Sequence, residues 1–384
     1  LYKKKKKKKK INFLKKKNKK RKKKARPKKK EQRKERLILV VANNVNLLFI
    51  FQCPSHGEAG GKSYFFLEVQ RDGGTFVEDF LKAIFHSSES VLVLIDLPAG
   101  ETTTLALEKV AEPEYDKMTQ AELSIKTGGE WGEIEYEGGG FENVTFLRVP
   151  DQHTDHTYFI RYEGPGWESD QMAYRFYLDW RNGVDVFGKL TPEMVLQDVG
   201  LDGFDSYHEL SDWGMDLLKV GSTLGGGSIG RFINDTLYRF KDVDSVTCEI
   251  VRDGYLTSAI KTTYYNWSDG GSSTDLISSI GIEAGSALTE HQLSFGTSIK
   301  GFCTGLVENE GEQYLNEVMG DYRVLATYGD YSLNNDQMGL ALLVPKSSIK
   351  EVVDGAGSHV VLFEPSEKVS YYFMAVWEKG TNPV

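Results

Sequence analysis

The sequence is poor in cysteine, in long apolar runs and, over most of its length, in positive charge. Only three of its 384 residues are cysteines. Cys53 closes an apolar segment, while Cys248 and Cys303 stand alone. Because none of them belongs to a C-x-x-C pair, a cysteine zinc site is excluded. We expect Cys248 and Cys303 to be two ordinary buried thiols, and a disulfide between them is the open alternative.

The positive charge is concentrated at the start of the sequence. Residues 1–36 contain 24 of the 47 lysines and arginines and only two acids, Glu31 and Glu35. The rest of the chain therefore has 23 basic and 53 acidic side chains, a formal net charge of −30. Nucleic acid demands a basic face, so the body of the protein is not expected to bind it. The lysine run at residues 3–10 cannot bury enough surface to fold, so residues 1–36 are predicted to be a disordered basic leader.

Residues 37–56 resemble an export signal. The apolar stretch at residues 37–51 follows the basic leader, and Cys53 resembles the lipid-bearing cysteine of a bacterial lipoprotein. We therefore expect an exported protein, either periplasmic or membrane-anchored through that lipid. The alternatives are an irrelevant translated leader and a genuine basic tail for RNA or nuclear import. No later segment is apolar enough to span a membrane, so membrane contact is expected only through a lipid anchor.

From Ser63 onward the pattern is one of strands and turns, with almost no helical period. Segments such as residues 174–178 and 277–283 are separated by glycine and aspartate turns, which typically connect antiparallel strands. The sequence therefore predicts an all-β protein, a large antiparallel β-sandwich with few short helices. The helical candidates are residues 76–85 and 191–197. We expect a small N-terminal β region at residues 57–120 and the main sandwich, with the active site, at residues 121–384.

The run at residues 151–230 is dense in charged and aromatic side chains, including the segments HTDH, WESD, YRFYLDW and YH. A charge buried without a partner costs several kcal/mol, so this density predicts a polar cleft rather than a core segment. Aromatic rings stack on the C–H faces of sugars, while hydroxyls and carboxylates need hydrogen bonds. The expected partner is therefore an acidic oligosaccharide.

Two motifs in this run have weak signals. Residues 225–230 fit G-x-G-x-x-G, but no helix follows them as a dinucleotide site requires, so we predict a tight turn near a ligand. His153 and His156 of HTDH could offer two imidazoles to a metal, with Asp155 or His208 completing the set. Contact with substrate and stabilisation of the loop are the alternatives. No metal ligand and no cofactor is assigned, and a divalent metal stays an open alternative.

Arg161 and Arg175 are each predicted to lie on the polar face of an alternating strand. An arginine there can hold a uronate carboxylate with a two-pronged hydrogen bond. The alternative is an ion pair with a neighbouring aspartate, such as Asp170 or Asp179. The sequence leaves both open.

Tyr207 and His208, followed by Asp212, Asp216 and Lys219, are the best catalytic candidates. Histidine titrates near neutral pH, tyrosine can act as acid or base when a nearby cation lowers its pKa, and lysine can stabilise a developing anion. Together these groups suit the abstraction of a proton next to a carboxylate. A purely structural His208 is the alternative.

The segments HTDH, YFIRYEGPGWESD, YRFYLDWRNGVDVFGK and DGFDSYHELSDWGMD resemble a bacterial family first described as a domain of unknown function. Its members occur in polysaccharide-degradation loci. One characterised branch is an oligosaccharide dehydratase in the breakdown of ulvan, a sulfated polymer of rhamnose and uronic acid. The resemblance runs from about residue 90 to the C-terminus and implies a β-sandwich related to the galactose-mutarotase-like supersandwich.

The resemblance implies a carbon–oxygen lyase that removes water from an unsaturated, uronate-ended oligosaccharide. His208 or Tyr207 would then supply the base and the acid, and Arg161, Arg175 and Lys219 would hold the carboxylate. The other expected substrate contacts are Trp167 and Trp180, which would stack on the sugar, together with Asp170, Asp212, His153 and His156. The alternatives are a polysaccharide lyase that cleaves a uronate-containing polymer by β-elimination and a non-catalytic glycan-binding lipoprotein.

Overall fold

The computed structural model describes residues 116–268 and 271–381, together with the backbone of six strands between residues 36 and 109. These six strands, numbered in chain order like all others, form two three-stranded sheets. The first has the spatial order β1 (Arg36–Val40), β6 (Thr102–Lys109) and β3 (Phe65–Arg71). The second has the order β2 (Val45–Gln52), β5 (Ser90–Leu97) and β4 (Lys82–Phe85). The sequence predicts a helix at residues 76–85, but its last four residues form β4, which pairs with β5, so the prediction is wrong there. Residues 76–81 lie outside the described residues. The predicted basic leader also lies outside them, except for Arg36.

The largest sheet has nine antiparallel strands. Their spatial order is β10 (Phe146–Arg148), β17 (Ser245–Asp253), β18 (Thr257–Ser268), β19 (Ser273–Glu283), β20 (Thr289–Phe295), β27 (Lys368–Trp377), β24 (Met338–Pro345), β23 (Tyr322–Gly329) and β22 (Gln313–Met319). Buried and more exposed residues alternate along β19 and β27. One face of this sheet is therefore packed, and the other faces outward.

Two five-stranded sheets lie against the packed face. The first, which we call the site sheet, has the order β14 (Gly214–Asp216), β13 (Val184–Lys189), β12 (Ala173–Phe176), β11 (Gly166–Ser169) and β7 (Thr119–Glu122). The second has the order β16 (Thr236–Tyr238), β15 (Gly226–Ile233), β21 (Phe302–Val307), β26 (Ser358–Phe363) and β25 (Ile349–Gly355). A hairpin of β8 (Ser124–Trp131) and β9 (Tyr136–Asn143) is paired separately. The predicted all-β antiparallel sandwich is confirmed.

A large apolar core fills the space between the layers. It includes Trp167 and Tyr174 of the site sheet, Ile280 and Phe373 of the nine-stranded sheet, and Phe302 of the second five-stranded sheet. Trp167 stacks on Tyr174 at a centroid distance of 5.6 Å. Burial of each such side chain contributes about 1.5–3 kcal/mol. The core fixes the inner face of the site sheet, which leaves its outer face for polar groups.

No α-helix occurs in residues 116–268 and 271–381, where the only helical elements are 3₁₀ helices at Arg161–Glu163, Leu196–Asp198, Ser206–His208 and Lys346–Ser348. The helix predicted at residues 191–197 is therefore wrong. The backbone N–H groups of Val195 and Leu196 donate to the carboxylate of Glu168, which holds the segment as a loop on the site sheet.

The glycine motif at residues 225–230 lies mostly in β15, at an irregularity in its pairing with β21. A Cβ atom at Gly227, where φ is 112°, would lie 2.9 Å from Phe373. These glycines therefore serve close packing. The predicted tight turn begins the motif, where the N–H groups of Gly227 and Ser228 donate to the carbonyl of Leu224, and its proximity to a ligand stays a prediction. Cys248 and Cys303 are buried and free, as expected. Within the described residues, no helix has the length and apolar character needed to cross a membrane.

Candidate functional site

The outer face of the site sheet carries charged side chains beneath a layer of loops. Arg175 on β12 lies opposite Asp185 on β13, and Asp216 is on the neighbouring strand β14. The loops that cover this face contribute an apolar cluster with Leu196, Val199, Phe204 and Tyr207. The charged groups are thus removed from water and need partners.

Arg175 satisfies its hydrogen-bonding groups within the protein. Its Nε and Nη2 atoms donate to Oδ2 of Asp185 at 3.1 and 2.8 Å, and Nη2 also donates to Oδ2 of Asp216 at 2.8 Å. Its Nη1 atom donates to the carbonyl of Tyr162 and the hydroxyl of Tyr207. The prediction that Arg175 holds a substrate carboxylate is therefore wrong. The ion-pair alternative is correct, with partners other than those considered.

His208 stands at the solvent end of this group. Its Nε2 atom is 3.5 Å from Oδ2 of Asp216, and its side chain is 45% exposed. Burial, and then the charge of Asp185, raise the pKa of Asp216 well above its usual range. His208 thus has a buried carboxyl group behind it and solvent in front.

Tyr207 supports this arrangement without acting as a base. Burial raises its pKa above the ordinary range, although the charge of Arg175 opposes the shift. Its hydroxyl accepts a hydrogen bond from Arg175, and its ring centroid is 4.6 Å from that of His208. The prediction that a nearby cation lowers the pKa of Tyr207 is therefore wrong, because the cost of burying a phenolate outweighs that attraction.

A second histidine–carboxylate pair lies in the HTDH segment. His156 Nδ1 is 2.6 Å from Oδ1 of Asp155, and the histidine side chain is 65% exposed. The ring of Phe204 is 4.9 Å from that of His156 and 6.5 Å from that of Tyr207. The structure thus connects the HTDH and YH motifs through the ring of Phe204.

A charged network joins the two histidine pairs. Oε2 of Glu163 is 3.9 Å from Nη1 of Arg175, and Oε1 of Glu163 is 2.8 Å from Nη2 of Arg181. Nη1 of Arg181 then reaches Oδ1 of Asp155 at 2.7 Å. Burial alone would raise the pKa of Glu163, but Arg175 and Arg181 outweigh it and lower the pKa to about 2. Glu163 is therefore an ionised bridge between the two guanidinium groups.

Asp155, His156 and Glu163 could hold a divalent cation, because their ligand atoms all lie within 4.8 Å of one another. Arg181 already donates to both carboxylates and also pairs with Asp179 at 2.5 Å. A metal would have to displace this guanidinium. The positive charge that the carboxylates require is thus supplied by the chain.

His153 stabilises the same loop from inside. Its Nδ1 atom is 2.9 Å from the hydroxyl of Thr157, and its Nε2 atom is buried without a hydrogen-bond partner among the described residues. Burial lowers the pKa of His153, which keeps the imidazole neutral. This placement favours the loop-stabilising alternative over contact with substrate.

The backbone at residues 156–163 is strained. His156, Tyr158, Tyr162 and Glu163 have φ values of 58°, 56°, 38° and 69°. A residue held in this left-handed region costs on the order of 1–3 kcal/mol, and such residues cluster at functional sites. The strand predicted at residues 158–162 is wrong for the same reason, since these turns interrupt it and Ile160 forms only one isolated bridge, with Ile125.

Arg161 is also committed within the protein. It is 2% exposed, pairs with Glu122 through Nη2, and donates from Nη1 to the carbonyl of Gln197 at 2.7 Å. The hydroxyl of Tyr162 donates to the same carboxylate of Glu122. The predicted role of Arg161 in holding a substrate carboxylate is therefore wrong, because its fork faces β7 and not solvent.

The remaining predicted residues do not join the network. Trp167 is 1% exposed and donates from Nε1 to Thr289, so the prediction that it stacks on a sugar is wrong. Asp170 is buried and accepts from the backbone N–H of Gly285. Three predicted residues are exposed without a described contact to either histidine pair: Trp180, whose ring lies 4.7 Å from the ammonium of Lys241, and Asp212 and Lys219.

Sequence reasoning missed four residues of the site: Glu163, Arg181, Asp185 and Phe204. Asp185 faces Arg175 only through the register of β12 and β13. Glu163 and Arg181 are brought together by the strained loop. The one available signal was the density of acids and arginines between residues 151 and 216, which marks a network but not its pairs.

The fold and the site define an all-β sandwich protein in which the loops beside the site sheet contain two exposed histidines, each paired with a carboxyl group. The chain belongs to the family described as a domain of unknown function, DUF4861, whose model matches residues 86–384. This confirms the predicted membership of a domain-of-unknown-function family. No curated protein matches the chain.

Proposed function

We propose that the protein is a carbon–oxygen lyase that removes water from an unsaturated, uronate-ended oligosaccharide, in the degradation of an ulvan-type acidic polysaccharide. The observation that carries this proposal is the pair of exposed histidines, His156 and His208, which are each against a carboxyl group and are connected through the rings of Phe204 and Tyr207. Elimination requires one group that accepts a proton and another that protonates the leaving hydroxyl. Two histidines can supply both functions near neutral pH.

The contacts of each ring suggest its role. Nε2 of His208 faces Asp216 and carries the ring proton, so Nδ1 is the atom that takes a proton from the sugar carbon next to the one that bears the departing hydroxyl. Nδ1 of His156 faces Asp155, so Nε2 is the atom that protonates the departing hydroxyl. The electron pair of the broken C–H bond forms the new double bond, and the C–O bond breaks with loss of water.

Mass spectrometry of unsaturated, uronate-ended ulvan oligosaccharides incubated with the protein tests this proposal. The expected result is a product lighter by one water, without cleavage of the chain. A chelator should leave the rate unchanged, because Arg181 supplies the positive charge between Asp155 and Glu163. Unchanged oligosaccharide masses at every protein concentration would contradict the dehydratase activity. Loss of activity with the chelator would indicate a metal in the site.

A polysaccharide lyase is the second candidate. The two histidine side chains are 65% and 45% exposed, so a polymer could lie across them. The same base would then expel a glycosidic oxygen instead of water. Intact uronate-containing polymer would be shortened and would gain unsaturated ends, whereas a non-catalytic glycan-binding protein would bind the polymer and leave it unchanged.

We also propose that the protein is exported, with Cys53 as a lipid attachment point. Cys53 lies outside the described residues, directly after β2, so this proposal is supported only by the sequence pattern. Mass analysis of the protein recovered from a membrane fraction would show an acyl group on Cys53, and an unmodified N-terminal segment would contradict the anchor.

A further inference from the structure

The reaction proposed above needs a cation for an anionic sugar, and the arginines of the site are not free to supply it. Arg161, Arg175 and Arg181 are each paired with acidic side chains of the protein. Lys126 differs from them, because its half-buried side chain forms no ion pair with any described residue. Its ammonium group therefore lacks a compensating charge in the part of the chain that the structure describes.

Lys126 is held against the strained loop of the site. Its backbone N–H donates to the carbonyl of Phe159 at 2.8 Å, and the adjacent Ile125 forms a bridge with Ile160. Its Nζ atom is 5.4 Å from the centroid of the Tyr158 ring, which lies 4.3 Å from that of Phe204. The ammonium group thus lies beside the aromatic pair of Tyr158 and Phe204, and the ring of Phe204 contacts that of His156.

The surroundings of this ammonium group are apolar on two sides. The ring of Phe141 is 5.7 Å from Nζ, and among the described residues the acceptor for this ammonium group is the carbonyl of Tyr136 at 3.5 Å. An ammonium group has three donors, and partial burial without an anion is costly. The two aromatic faces offset part of that cost, and an arriving anion would offset more.

We propose that Lys126 binds an anionic group of the sugar, a carboxylate or a sulfate ester, at the rim of the site. Lys126 is then a positioning residue, because its Nζ atom orients the substrate without taking part in proton transfer. A lysine acts as a point charge and suits either anion. This inference rests on the proposed function and names a contact that the paired arginines cannot make.

The test compares Lys126→Met, which keeps the aliphatic stem over the rings, with Lys126→Arg, which keeps the charge. Lys368→Met, an exposed lysine at the start of β27, is the matched control. Three ligands are titrated by calorimetry: an unsaturated, uronate-ended sulfated oligosaccharide, its desulfated form and its carboxyl-reduced form. Turnover of the first ligand is measured in parallel.

For Lys126→Met we expect Kd and KM for the sulfated uronate to rise on the order of tenfold, with kcat unchanged. Lys126→Arg and Lys368→Met should bind like the wild type. The ligand change that abolishes the difference between the wild type and Lys126→Met identifies the group held by Lys126, which distinguishes carboxylate from sulfate.

Equal Kd values for the wild type and Lys126→Met with all three ligands would overturn the inference, as would a wild type that binds none of them. A fall in kcat at unchanged KM would also overturn it, because Lys126 would then act in the chemical step. Binding that depends on Lys126 without any turnover would support the anion contact of Lys126 and contradict the proposed lyase activity. Turnover that does not depend on Lys126 would support the lyase activity and contradict the anion contact.

Discussion

The described histidines differ in what their two ring nitrogens face. His156 and His208 each have a carboxyl group on one side and an exposed surface on the other. His291 is buried between the hydroxyls of Ser278 and Tyr371, and His359 lies between Glu312 and Asp354. Only a ring with a free nitrogen at the protein surface can exchange a proton with a ligand, which is why the proposed chemistry is assigned to the first two residues.

Replacement of His208 by alanine should abolish turnover while the protein stays folded. The side chain is 45% exposed, so little packing is lost, whereas removal of a general base typically slows a reaction on the order of 10²–10⁴-fold. The measurement is the rate of water loss, with the urea midpoint of unfolding as the control. Normal turnover by His208→Ala would remove this residue from the mechanism.

Replacement of Tyr207 by phenylalanine should have the opposite effect, with a loss of stability and little loss of activity. The lost hydroxyl accepts a hydrogen bond from the buried guanidinium of Arg175, so the free energy of unfolding should fall by about 1–3 kcal/mol. Activity should fall less than roughly tenfold, because the raised pKa of Tyr207 keeps it from acting as a base. Unfolding curves and rates measured on the same preparation check this, and lost turnover at unchanged stability would give the hydroxyl a chemical role.

At the level of elements, the site sheet is tied to its covering loops by a buried ion pair. Nζ of Lys189 on β13 is 2.6 Å from Oε2 of Glu168 on β11, and both side chains are fully buried. The same carboxylate accepts the backbone N–H groups of Val195 and Leu196. One pair therefore fixes the spacing of strands and the position of the loop that leads to Phe204.

Lys189→Met should destabilise the protein by about 3–5 kcal/mol, because it leaves the carboxylate of Glu168 buried without its cation. The double variant Glu168→Gln with Lys189→Met should recover part of this loss, since no charge then stays uncompensated. Denaturant unfolding of both variants provides the measurement. Additive losses in the double variant would mean that the pair does not act as a unit.

The elements with a regular period were predictable from the sequence, and those with special geometry were not. The alternation at residues 174–178 correctly placed Arg175 and Tyr174 on opposite faces of β12. Residues 158–162 show the same alternation, yet left-handed turns at Tyr158 and Tyr162 interrupt the strand. Such turns are held by tertiary contacts, such as the bond of Tyr162 to Glu122, which a local pattern does not contain.

The pairing within the site was beyond the sequence for a related reason. The residue types and their density singled out His156 and His208 as candidates, and their role in function stays a prediction. The sequence could not show that Arg161 and Arg175 find internal carboxylates, because Glu122 and Asp185 reach them through strand register and chain topology. The local sequence around an arginine in a polar cluster is the same whether its guanidinium group faces a ligand or an aspartate.

For the molecule as a whole, His291 makes stability depend on acid pH. It joins β20 to β19 and β27 through Ser278 and Tyr371, and burial lowers its pKa to about 3. The unfolded chain binds the proton near pH 6.5 and the folded protein does not. The free energy of unfolding should therefore fall as the pH drops from about 6.5 towards 3, by up to about 1.4 kcal/mol per pH unit.

Denaturant unfolding of the wild type and of His291→Gln across this pH range is the measurement. The variant retains hydrogen-bonding atoms but has no proton to bind, so its profile should be flatter than that of the wild type. His359 provides a contrast of opposite sign. Glu312 and Asp354 raise its pKa despite burial, so the stability it contributes is complete below about pH 6.5 and is lost as the pH rises through the raised value. Identical slopes of unfolding free energy against pH for the wild type and His291→Gln would show that His291 is not responsible for the acid sensitivity.

The pairing of β7 with β11 and of β20 with β27 joins segments that are far apart in the chain. Folds dominated by such long-range contacts fold slowly, because the entropy cost of closing the loops comes before the stabilising strand pairs can form. The histidine pairs, moreover, depend on a loop anchored to Glu122 and on a sheet anchored to the core. During refolding, the return of catalytic competence should therefore lag behind the return of β-structure, so that a partly folded intermediate is compact but inert.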